Sequence, residues 1–516
     1  MNAPSGSALD AEKAPQDSAG SSASPRATAF WIVIVAIFFA LTARGICIGV
    51  APLNAYVRDH ISNMGWGTYG VEHGPWNMYD MPANQPLIVL TRDPRAGHPR
   101  NRIDLNPHAL NYPPLGAYLY WIQGLLWHSL DHQTVTLHPS PQLAREYGLT
   151  GPVTSRVIDT PVSRFCDAFP GVVFDFLLAW GAAALVRELL RQRRNPILEA
   201  LAFAIVLLAP PIFLDSAYWN QADSWIACWL TWCVVFLMRG WLVRAGVIFG
   251  LALMTKPQAV LFGPVLAYVF FALRFEAGGT WRKALALWKW AAAALLVVML
   301  IALPFMIADG RDERNPAGAW RWFKRSYLGT IGGDQYSRTT LNAFNVWWLD
   351  MLAQGPLPRA ESHQRDFFQR LLSVDETRLG IKKETAGKAM LAAAIVLAWL
   401  LCARRWRWDR PSWPVCAFLV TLAAFTLPTS VHERYIYYCL PFLIALVMYE
   451  KRWAPPLLAL LLVATFEMTS YDWASIRNLY GDDGFTRLSS GLLAVLTVTS
   501  LLYSYAAIVP RGMRKS

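Results

Sequence analysis

The stretch FWIVIVAIFFALTARGICIGV (residues 30–50) is apolar over the length that an α-helix needs to cross a bilayer, and Arg44 is its only charged residue. It predicts a transmembrane helix. No small-residue cleavage site follows at the position expected of a signal peptide, so we expect an uncleaved anchor with a cytoplasmic N-terminus. Residues 1–27 are rich in Ala, Ser and Pro, which predicts a disordered cytoplasmic tail.

Apolar runs of comparable length recur along the chain. They lie near residues 112–130, 168–186, 197–214, 224–238, 243–273, 286–306, 388–403, 413–429, 435–449, 454–469 and 489–509. Of the 516 residues, 55% are hydrophobic and 16% are charged, whereas a soluble domain carries about 25% charged residues. These features predict an all-α polytopic membrane protein with about 11–13 transmembrane helices. The sequence TKPQ interrupts the run 243–273, which predicts two short or broken helices there.

The net charge of +12 follows the pattern of membrane topology. Lys and Arg cluster beside apolar runs, as the positive-inside rule requires, so we do not expect nucleic-acid binding. The clusters are 187–194, 239–244, 274–289, 404–410, 451–452 and the C-terminal RGMRKS. With these clusters in the cytoplasm, the extracytoplasmic segments are 51–111, 216–223, 307–387, 430–434 and 470–488. Charge parity leaves 112–130 open as either a partial insertion or a full span.

The seven cysteines lie in or beside apolar segments, their number is odd, and no CxxC motif is present. This pattern is typical of small residues in membrane helices and predicts neither a disulfide framework nor a metal site.

Polar residues in or beside membrane helices are costly and therefore indicate function. Most of them fall at the outward helix ends, at Asp59, in DSAYWNQADSW (215–225) and in HERY (432–435). TKPQ (255–258) breaks a helix at membrane depth, which is tolerated where the backbone lines a buried or wet cavity.

One reaction class fits such an arrangement. A sugar on a polyprenyl phosphate keeps its tail in lipid and its phosphosugar at the interface, and transfer to an acceptor hydroxyl needs a carboxylate that takes the proton. Cations around the departing phosphate stabilise the charge that develops there. Asp59 is the candidate base. The candidate phosphate-binding residues are Arg434, His432, Lys256 and Arg44.

Each candidate also has a structural interpretation. The alternative for Asp59 is an interfacial charge paired with Arg58, and the alternative for Lys256 is a side chain that extends to the interface. Asp175, inside an apolar run, fits an internal hydrogen-bond partner as well as a substrate ligand. Asp223 is placed to cap the helix that follows it.

Two further clusters have structural alternatives. His432, Glu433 and Arg434 fit a self-satisfied ion cluster as well as a substrate site. The group Asp59, His60, Glu72 and His73 matches no compact metal-ligand spacing, so we expect no metal there.

Several motifs, taken in order, resemble the GT-C glycosyltransferases, membrane enzymes that use polyprenyl-phosphate sugars. LTARG (41–45), Asp59 followed seven residues later by Trp66, NYPPLGAY (111–118) and TSR (154–156) are similar to the glucosyltransferases that extend the lipid-linked N-glycan precursor. The stretches similar to bacterial relatives of the GPI-anchor mannosyltransferases are EHGPWNMY (72–79), WNQADSW (219–225), MTKPQA (254–259), LNAFNVWWL (341–349) and VHERYIYY (431–438).

The resemblance implies a GT-C-type bundle with a long first extracytoplasmic loop and an inverting transfer that needs no metal or other cofactor. It implies that Asp59 deprotonates the acceptor hydroxyl and that Arg434 and His432 hold the donor phosphate. The implied substrate-binding residues are Trp66, Tyr112, Trp219, Gln221, Asp223, Gln258, Asn342 and Glu433. The catalytic membrane module spans residues 28–450, and residues 451–516 add C-terminal helices and a basic tail.

Departures from the family pattern concern acceptor specificity more than reaction type. Arg58 replaces a Gly before the base, Asn111 replaces an Asp, and Asn220 replaces a Gly. An insertion at 84–108 lengthens the first loop.

The expected partners are a polyprenyl-phosphate hexose, a glycan, lipid or protein acceptor, and the bilayer. The alternatives are a lipid-linked oligosaccharide flippase and a surface-polysaccharide polymerase. A bacterial inner membrane with a periplasmic site is the expected location, and the endoplasmic reticulum is the alternative.

Overall fold

The fold is taken from a computed structural model of the chain. It describes residues 24–54, 57–82, 84–90, 100–106, 108–276, 280–311, 318–329, 339–341, 343–354, 377–378, 380–406, 409–480 and 483–509. Asn342, nearly all of the predicted tail 1–27 and much of the predicted loop 307–387 lie outside these residues.

Helices dominate the described chain, as the sequence predicts. The first eleven are α1 Pro25–Asn54, α2 Arg58–His73, α3 Pro114–Leu130, α4 Pro141–Tyr147, α5 Pro161–Leu189, α6 Pro196–Leu208, α7 Pro210–Phe213, α8 Asp223–Met238, α9 Leu242–Thr255, α10 Gly263–Glu276 and α11 Thr280–Arg311. The others are α12 Arg321–Phe323, α13 Val346–Gln354, α14 Lys383–Trp406, α15 Ser412–Thr426, α16 Leu440–Tyr449, α17 Ala454–Tyr480 and α18 Asp483–Ile508.

Within the described ranges, 5 helices are long and apolar enough to cross a membrane. These segments are Pro25–Pro52, Pro161–Leu189, Leu287–Arg311, Lys383–Trp406 and Leu488–Ile508. A sixth span results if Pro196–Leu208 and Pro210–Tyr218, bent by 50°, are counted together. Shorter apolar helices such as α8, α9 and α15 pack among them, so a polytopic helical membrane fold is confirmed. The total of 11–13 spans stays a prediction.

The predicted break at TKPQ is present. α9 ends at Thr255, Lys256 is extended, and a 3-10 helix runs from Pro257 to Phe262 before α10 begins. Pro257 has no N–H to continue the ladder of α9, and its ring disfavours a helical conformation at the preceding residue. The break turns Lys256 out of the helix and into the protein interior, where its side chain is 4% exposed.

The segment 51–111, which the sequence predicts as the first extracytoplasmic loop, contains regular secondary structure. It contains α2, a 3-10 helix from Pro75 to Asp80, and two strands, β1 Pro86–Leu90 and β2 Asn101–Leu105, which pair antiparallel. Both strands belong to the insertion 84–108. β1 also pairs parallel with β4 Val153–Ile158, and β3 Thr134–Leu137 pairs antiparallel with β4.

These four strands form a small mixed sheet in the order β2-β1-β4-β3. The sequence interpretation did not predict it. Two further short strands, β5 Thr377–Arg378 and β6 Ile381–Lys382, pair antiparallel.

α2 packs directly on α3, and glycines make the close approach possible. A Cβ atom on Gly124 would overlap the backbone of Gly67, so neither helix tolerates a side chain at the crossing. This contact fixes α2 against the helix bundle and sets the position of its first turn, which carries Asp59.

Candidate active site

Asp59 lies in the first turn of α2 with its side chain 27% exposed. The Gln221 side-chain amide donates a hydrogen bond of 2.8 Å to Asp59 Oδ2. The two residues are 162 positions apart in the chain, and the bond joins α2 to the turn before α8. Asp59 is therefore held in place by a neutral donor and remains accessible. The interpretation of Asp59 as a charge paired with its neighbour Arg58 does not account for this contact.

Arg434 links Asp59 to two other carboxylates. Its Nη1 lies 3.6 Å from Asp59 Oδ2 and 3.6 Å from Glu433 Oε1, while its Nε lies 3.3 Å from Asp223 Oδ2. The Arg434 side chain is 13% exposed. These separations are longer than the roughly 2.7–2.9 Å of a tight charge-assisted hydrogen bond. The guanidinium is therefore shared among several anions and is not locked onto one.

Asp223 is the buried centre of the cluster. Lys256 Nζ donates to Asp223 Oδ1 at 2.5 Å, and the hydroxyl of Tyr438 donates to the same oxygen. Asp223 is the first residue of α8, and its carboxylate binds these side chains rather than capping the helix. Lys256 does not extend to the interface, so the structure disagrees with both structural interpretations offered by the sequence.

Tyr435 connects the TKPQ break to the HERY segment. Gln258 Nε2 donates to the Tyr435 hydroxyl at 2.6 Å, and Lys256 Nζ lies 5.6 Å from the centre of the Tyr435 ring. The break and the HERY segment, 177 residues apart at the Gln258–Tyr435 contact, thus form one wall of the site. Tyr435 was not among the predicted site residues.

His432 begins this wall beside a short parallel bridge to Leu341. Its Nδ1 lies 3.7 Å from Glu433 Oε2. Burial, and then the charge of Arg434, lower the pKa of His432 from its usual value. A neutral imidazole offers a hydrogen bond but no positive charge. The expected contribution of His432 as a cation therefore gains no support, while phosphate binding by Arg434 and Lys256 stays a prediction.

Trp66, Tyr112 and Tyr120 form an aromatic cluster next to these charges. The Trp66 ring lies 5.8 Å from Tyr112 and 5.0 Å from Tyr120, and its Nε1 donates to His108 O at 2.9 Å. Two of the predicted substrate-binding aromatics are thus together.

Trp219 is placed differently from the other predicted aromatics. Trp219 is buried, as Trp66 is, but it packs with Cys47 and Ala51 of α1 and lies apart from the cluster of Trp66, Tyr112 and Tyr120. This position supports the turn before α8, whereas a direct role for Trp219 in sugar binding stays a prediction.

Arg44 lies in a separate buried ion pair. Its Nε and Nη2 donate to Asp175 Oδ2 at 3.1 and 2.6 Å, and its Nη1 donates to the carbonyl oxygens of Ala40 and Leu207 at 3.1 and 3.0 Å. The expectation that Arg44 helps to hold the donor phosphate gains no support, because these internal acceptors use its donors. Asp175 is the internal hydrogen-bond partner that the sequence left open.

A second polar network lies under α2 and was missed by sequence reasoning. His60 Nδ1 lies 2.6 Å from Asp167 Oδ2, and Asn63 donates to Asp167 Oδ1 at 3.2 Å. Both Asp167 and His60 are buried. The available signal was an aspartate directly before the apolar run 168–186, since a polar residue at that position requires partners.

Sequence comparison matches residues 101–315 to a family model described as the ALG6, ALG8 glycosyltransferase family. That range includes Tyr112, Gln221, Asp223 and Lys256 and ends before Arg434. No curated protein sequence matches the chain.

The solved structures that are similar to the chain include two of ArnT. ArnT from Cupriavidus metallidurans bound to undecaprenyl phosphate has 15% sequence identity and a TM-score of 0.44, with 93% of this chain and 76% of ArnT covered. ArnT in the apo state has 15% identity and a TM-score of 0.36, with 91% and 78% covered. Over residues 101–315, the family match confirms the predicted resemblance to the GT-C glycosyltransferases.

Proposed function

We propose that the protein is an inverting glycosyltransferase that moves a hexose from a polyprenyl phosphate to an acceptor hydroxyl on the extracytoplasmic face. The observation that carries the proposal is the cluster in which an accessible carboxylate, Asp59, lies 3.6 Å from a guanidinium, Arg434, which also reaches the buried Asp223. The family match of residues 101–315 supports the reaction class.

In this proposal Asp59 removes the proton of the acceptor hydroxyl while its oxygen attacks the anomeric carbon. The bond between that carbon and the phosphate oxygen breaks, and the polyprenyl phosphate leaves as a monoester. Asp59 loses its negative charge as the leaving phosphate gains one. Arg434, placed beside Asp59, balances the negative charge as it moves from the base to the leaving group.

The surrounding residues position Asp59 and Arg434 and contact the substrates. Lys256 neutralises Asp223 and so keeps that carboxylate from holding Arg434 alone. Gln221 fixes Asp59 through a neutral hydrogen bond, which leaves the second carboxylate oxygen for the acceptor hydroxyl. His432 supplies a hydrogen bond to the phosphate, and Trp66 and Tyr112 provide faces against which sugar rings pack. No step of this mechanism requires a metal.

The acceptor in the proposal is a lipid-linked glycan, a cell-surface glycan or a protein, and the location is a bacterial inner membrane with a periplasmic site. Exposed apolar side chains along α1, such as Phe38 at 64% and Trp31 at 62%, support a lipid environment. The position of the site at the outward helix ends, which the charge clusters predict, supports the periplasmic face.

The test is sugar transfer in proteoliposomes that contain the purified protein. Polyprenyl phosphates carrying labelled glucose or mannose are supplied with a membrane-extract acceptor pool, and nucleotide-linked forms of the same sugars serve as the donor control. We expect a new glycosidic bond from one lipid-linked donor and none from the nucleotide sugars. Movement of a lipid-linked oligosaccharide across the bilayer without a new bond would instead identify a flippase. Transfer of a whole oligosaccharide would identify a polymerase.

A further inference from the structure

Asn220 occupies an unusual backbone position directly before Gln221. Its φ is +57°, in the left-handed region, where Asn is tolerated better than most residues with a side chain. The residue is 3% exposed and belongs to the turn that leads into α8. Gly is free of strain at such a position, so the presence of Asn calls for a reason in its side chain.

The side chain of Asn220 attaches the turn to α5. Its Nδ2 donates to the carbonyl oxygen of Arg164 at 3.0 Å, and its Oδ1 lies 3.5 Å from Arg164 Nη1. Arg164 is itself fully buried and bound to Asp159, with Nε to Oδ1 at 2.8 Å. The anchor is therefore rigid, because both members of its ion pair lie in the protein interior.

The backbone of Asn220 attaches the same turn to α2. Asn63 Nδ2 donates to Asn220 O at 3.0 Å, and Gln221 Nε2 donates to Asp59 Oδ2 at 2.8 Å. Asp59 and Asn63 are four residues apart on a helix and so share one face. Adjacent residues of the turn thus contact consecutive turns of α2, which fixes both the distance and the rotation between them.

We propose that Asn220 is a positioning residue that holds Gln221 against the carboxylate of Asp59. It clamps the turn between α5 and α2, so that the base keeps one orientation while the acceptor hydroxyl approaches. The proposal rests on the proposed function and adds a residue that touches neither substrate. A displacement of the turn by about 1 Å is enough to slow a positioned proton transfer substantially.

The test compares Asn220→Gly with a matched control in the proteoliposome transfer assay. Glycine keeps the left-handed backbone and removes only the clamp. Asn84 also has a positive φ, 65°, and is exposed and outside the site, so Asn84→Gly is the control. We expect Asn220→Gly to lower kcat roughly tenfold with KM for the donor unchanged. We expect the control to match the wild type.

A double-mutant cycle separates positioning from general stability. If Asn220 acts through Gln221, Asn220→Gly adds little to the loss already caused by Gln221→Ala. Asn220→Asp keeps an acceptor for Arg164 Nη1 but turns a carboxylate oxygen toward Arg164 O, so the attachment to α5 is broken and we expect a loss of kcat at least as large as in Asn220→Gly. Asn63→Ala removes the hydrogen bond from α2 to Asn220 O, and we expect it to lower kcat as well.

A wild-type kcat in Asn220→Gly would overturn the proposal. A double variant whose loss of kcat equals the product of the losses in Asn220→Gly and Gln221→Ala would overturn it as well. If Asn220→Gly does not fold, Asn220→Asp and Asn63→Ala decide by the same criterion. Absence of transfer by the wild type is a different result, since it removes the proposed function itself.

Discussion

The molecule contains two arginine–aspartate pairs with contrasting surroundings. Arg44 and Asp175 are 2% and 0% exposed, and the contact between Nη2 and Oδ2 is 2.6 Å. Ser216 and Tyr437 also donate to Asp175, at 2.6 and 3.2 Å. The hydrogen-bonding capacity of the pair is therefore used within the bundle.

The pair of Arg434 and Asp59 is looser. The two side chains are 13% and 27% exposed, and their contact is 3.6 Å. Arg434 is shared with Asp223 and Glu433. An arginine that is bound tightly by internal acceptors holds helices together, whereas one held at longer distances by several anions is able to exchange a partner for a phosphate.

The largest expected effect is a loss of stability when the Arg44–Asp175 pair is broken. Arg44→Met leaves Asp175 charged and buried without its cation, which costs about 3–5 kcal/mol of the free energy of unfolding. Thermal unfolding in detergent measures the change. The double variant Arg44→Met with Asp175→Leu is expected to recover part of the loss, because both charges are removed. A wild-type melting temperature for Arg44→Met would contradict the structural role.

For the Arg434–Asp59 pair, the expected effect is on the rate of transfer. Arg434→Ala removes the cation beside the leaving phosphate and is expected to lower kcat/KM by about 10²–10³-fold. Arg434→Lys restores only part, since a lysine lacks the planar fork that contacts several oxygens. The control is Arg102→Ala, whose side chain is 56% exposed and paired with Asp104. Equal losses of kcat/KM in Arg434→Ala and Arg102→Ala would refute the assignment.

Lys256 is expected to have an intermediate effect. In Lys256→Met, Asp223 keeps Arg434 and Tyr438 as partners, so Arg434 is drawn toward the buried carboxylate and away from the donor. We expect KM for the lipid-linked donor to rise about tenfold, equivalent to about 1.4 kcal/mol of binding free energy. Initial rates at varied donor concentration measure it. An unchanged KM would show that Lys256 does not control the availability of Arg434.

The smallest expected effect concerns pH. The pKa of His432 in the folded protein is below its usual value of about 6.5, so the unfolded chain binds this proton first as the pH falls. The stabilising contribution is present above about pH 6.5 and is lost as the pH falls toward the lowered folded-state pKa. His432→Gln should therefore flatten the fall in melting temperature on the acid side. Identical pH slopes for variant and wild type would count against a buried neutral imidazole.

The sequence predicted those features that follow from the cost of polar groups in lipid. The break at TKPQ, the accessible position of Asp59 and the grouping of Asp223 with Arg434 all follow from that cost. The sequence did not predict which side chains contact each other, because pairs such as Arg44 with Asp175 are separated by 131 residues. No local sequence pattern distinguishes Arg44, which is bound tightly by internal acceptors, from Arg434, which is shared among several carboxylates.

The small sheet and the clamp at Asn220 were missed for related reasons. β1 and β4 are separated in the chain by β2, α3, β3 and α4, so their pairing has no hairpin signal. Asn220 was noted only as a replacement for Gly. Its left-handed backbone and its contacts with Arg164 and Asn63 depend on the packing of α2 and α5, which appears only in three dimensions.

The most direct measurement of the central claim is the transfer rate of Asp59→Asn compared with wild type, together with donor binding by both proteins. The account predicts that the variant folds, binds the polyprenyl-phosphate sugar with similar affinity, and transfers it at least about 10³-fold more slowly, because an amide does not accept the acceptor proton. Transfer by Asp59→Asn at the wild-type rate would contradict the account and place the base at another residue.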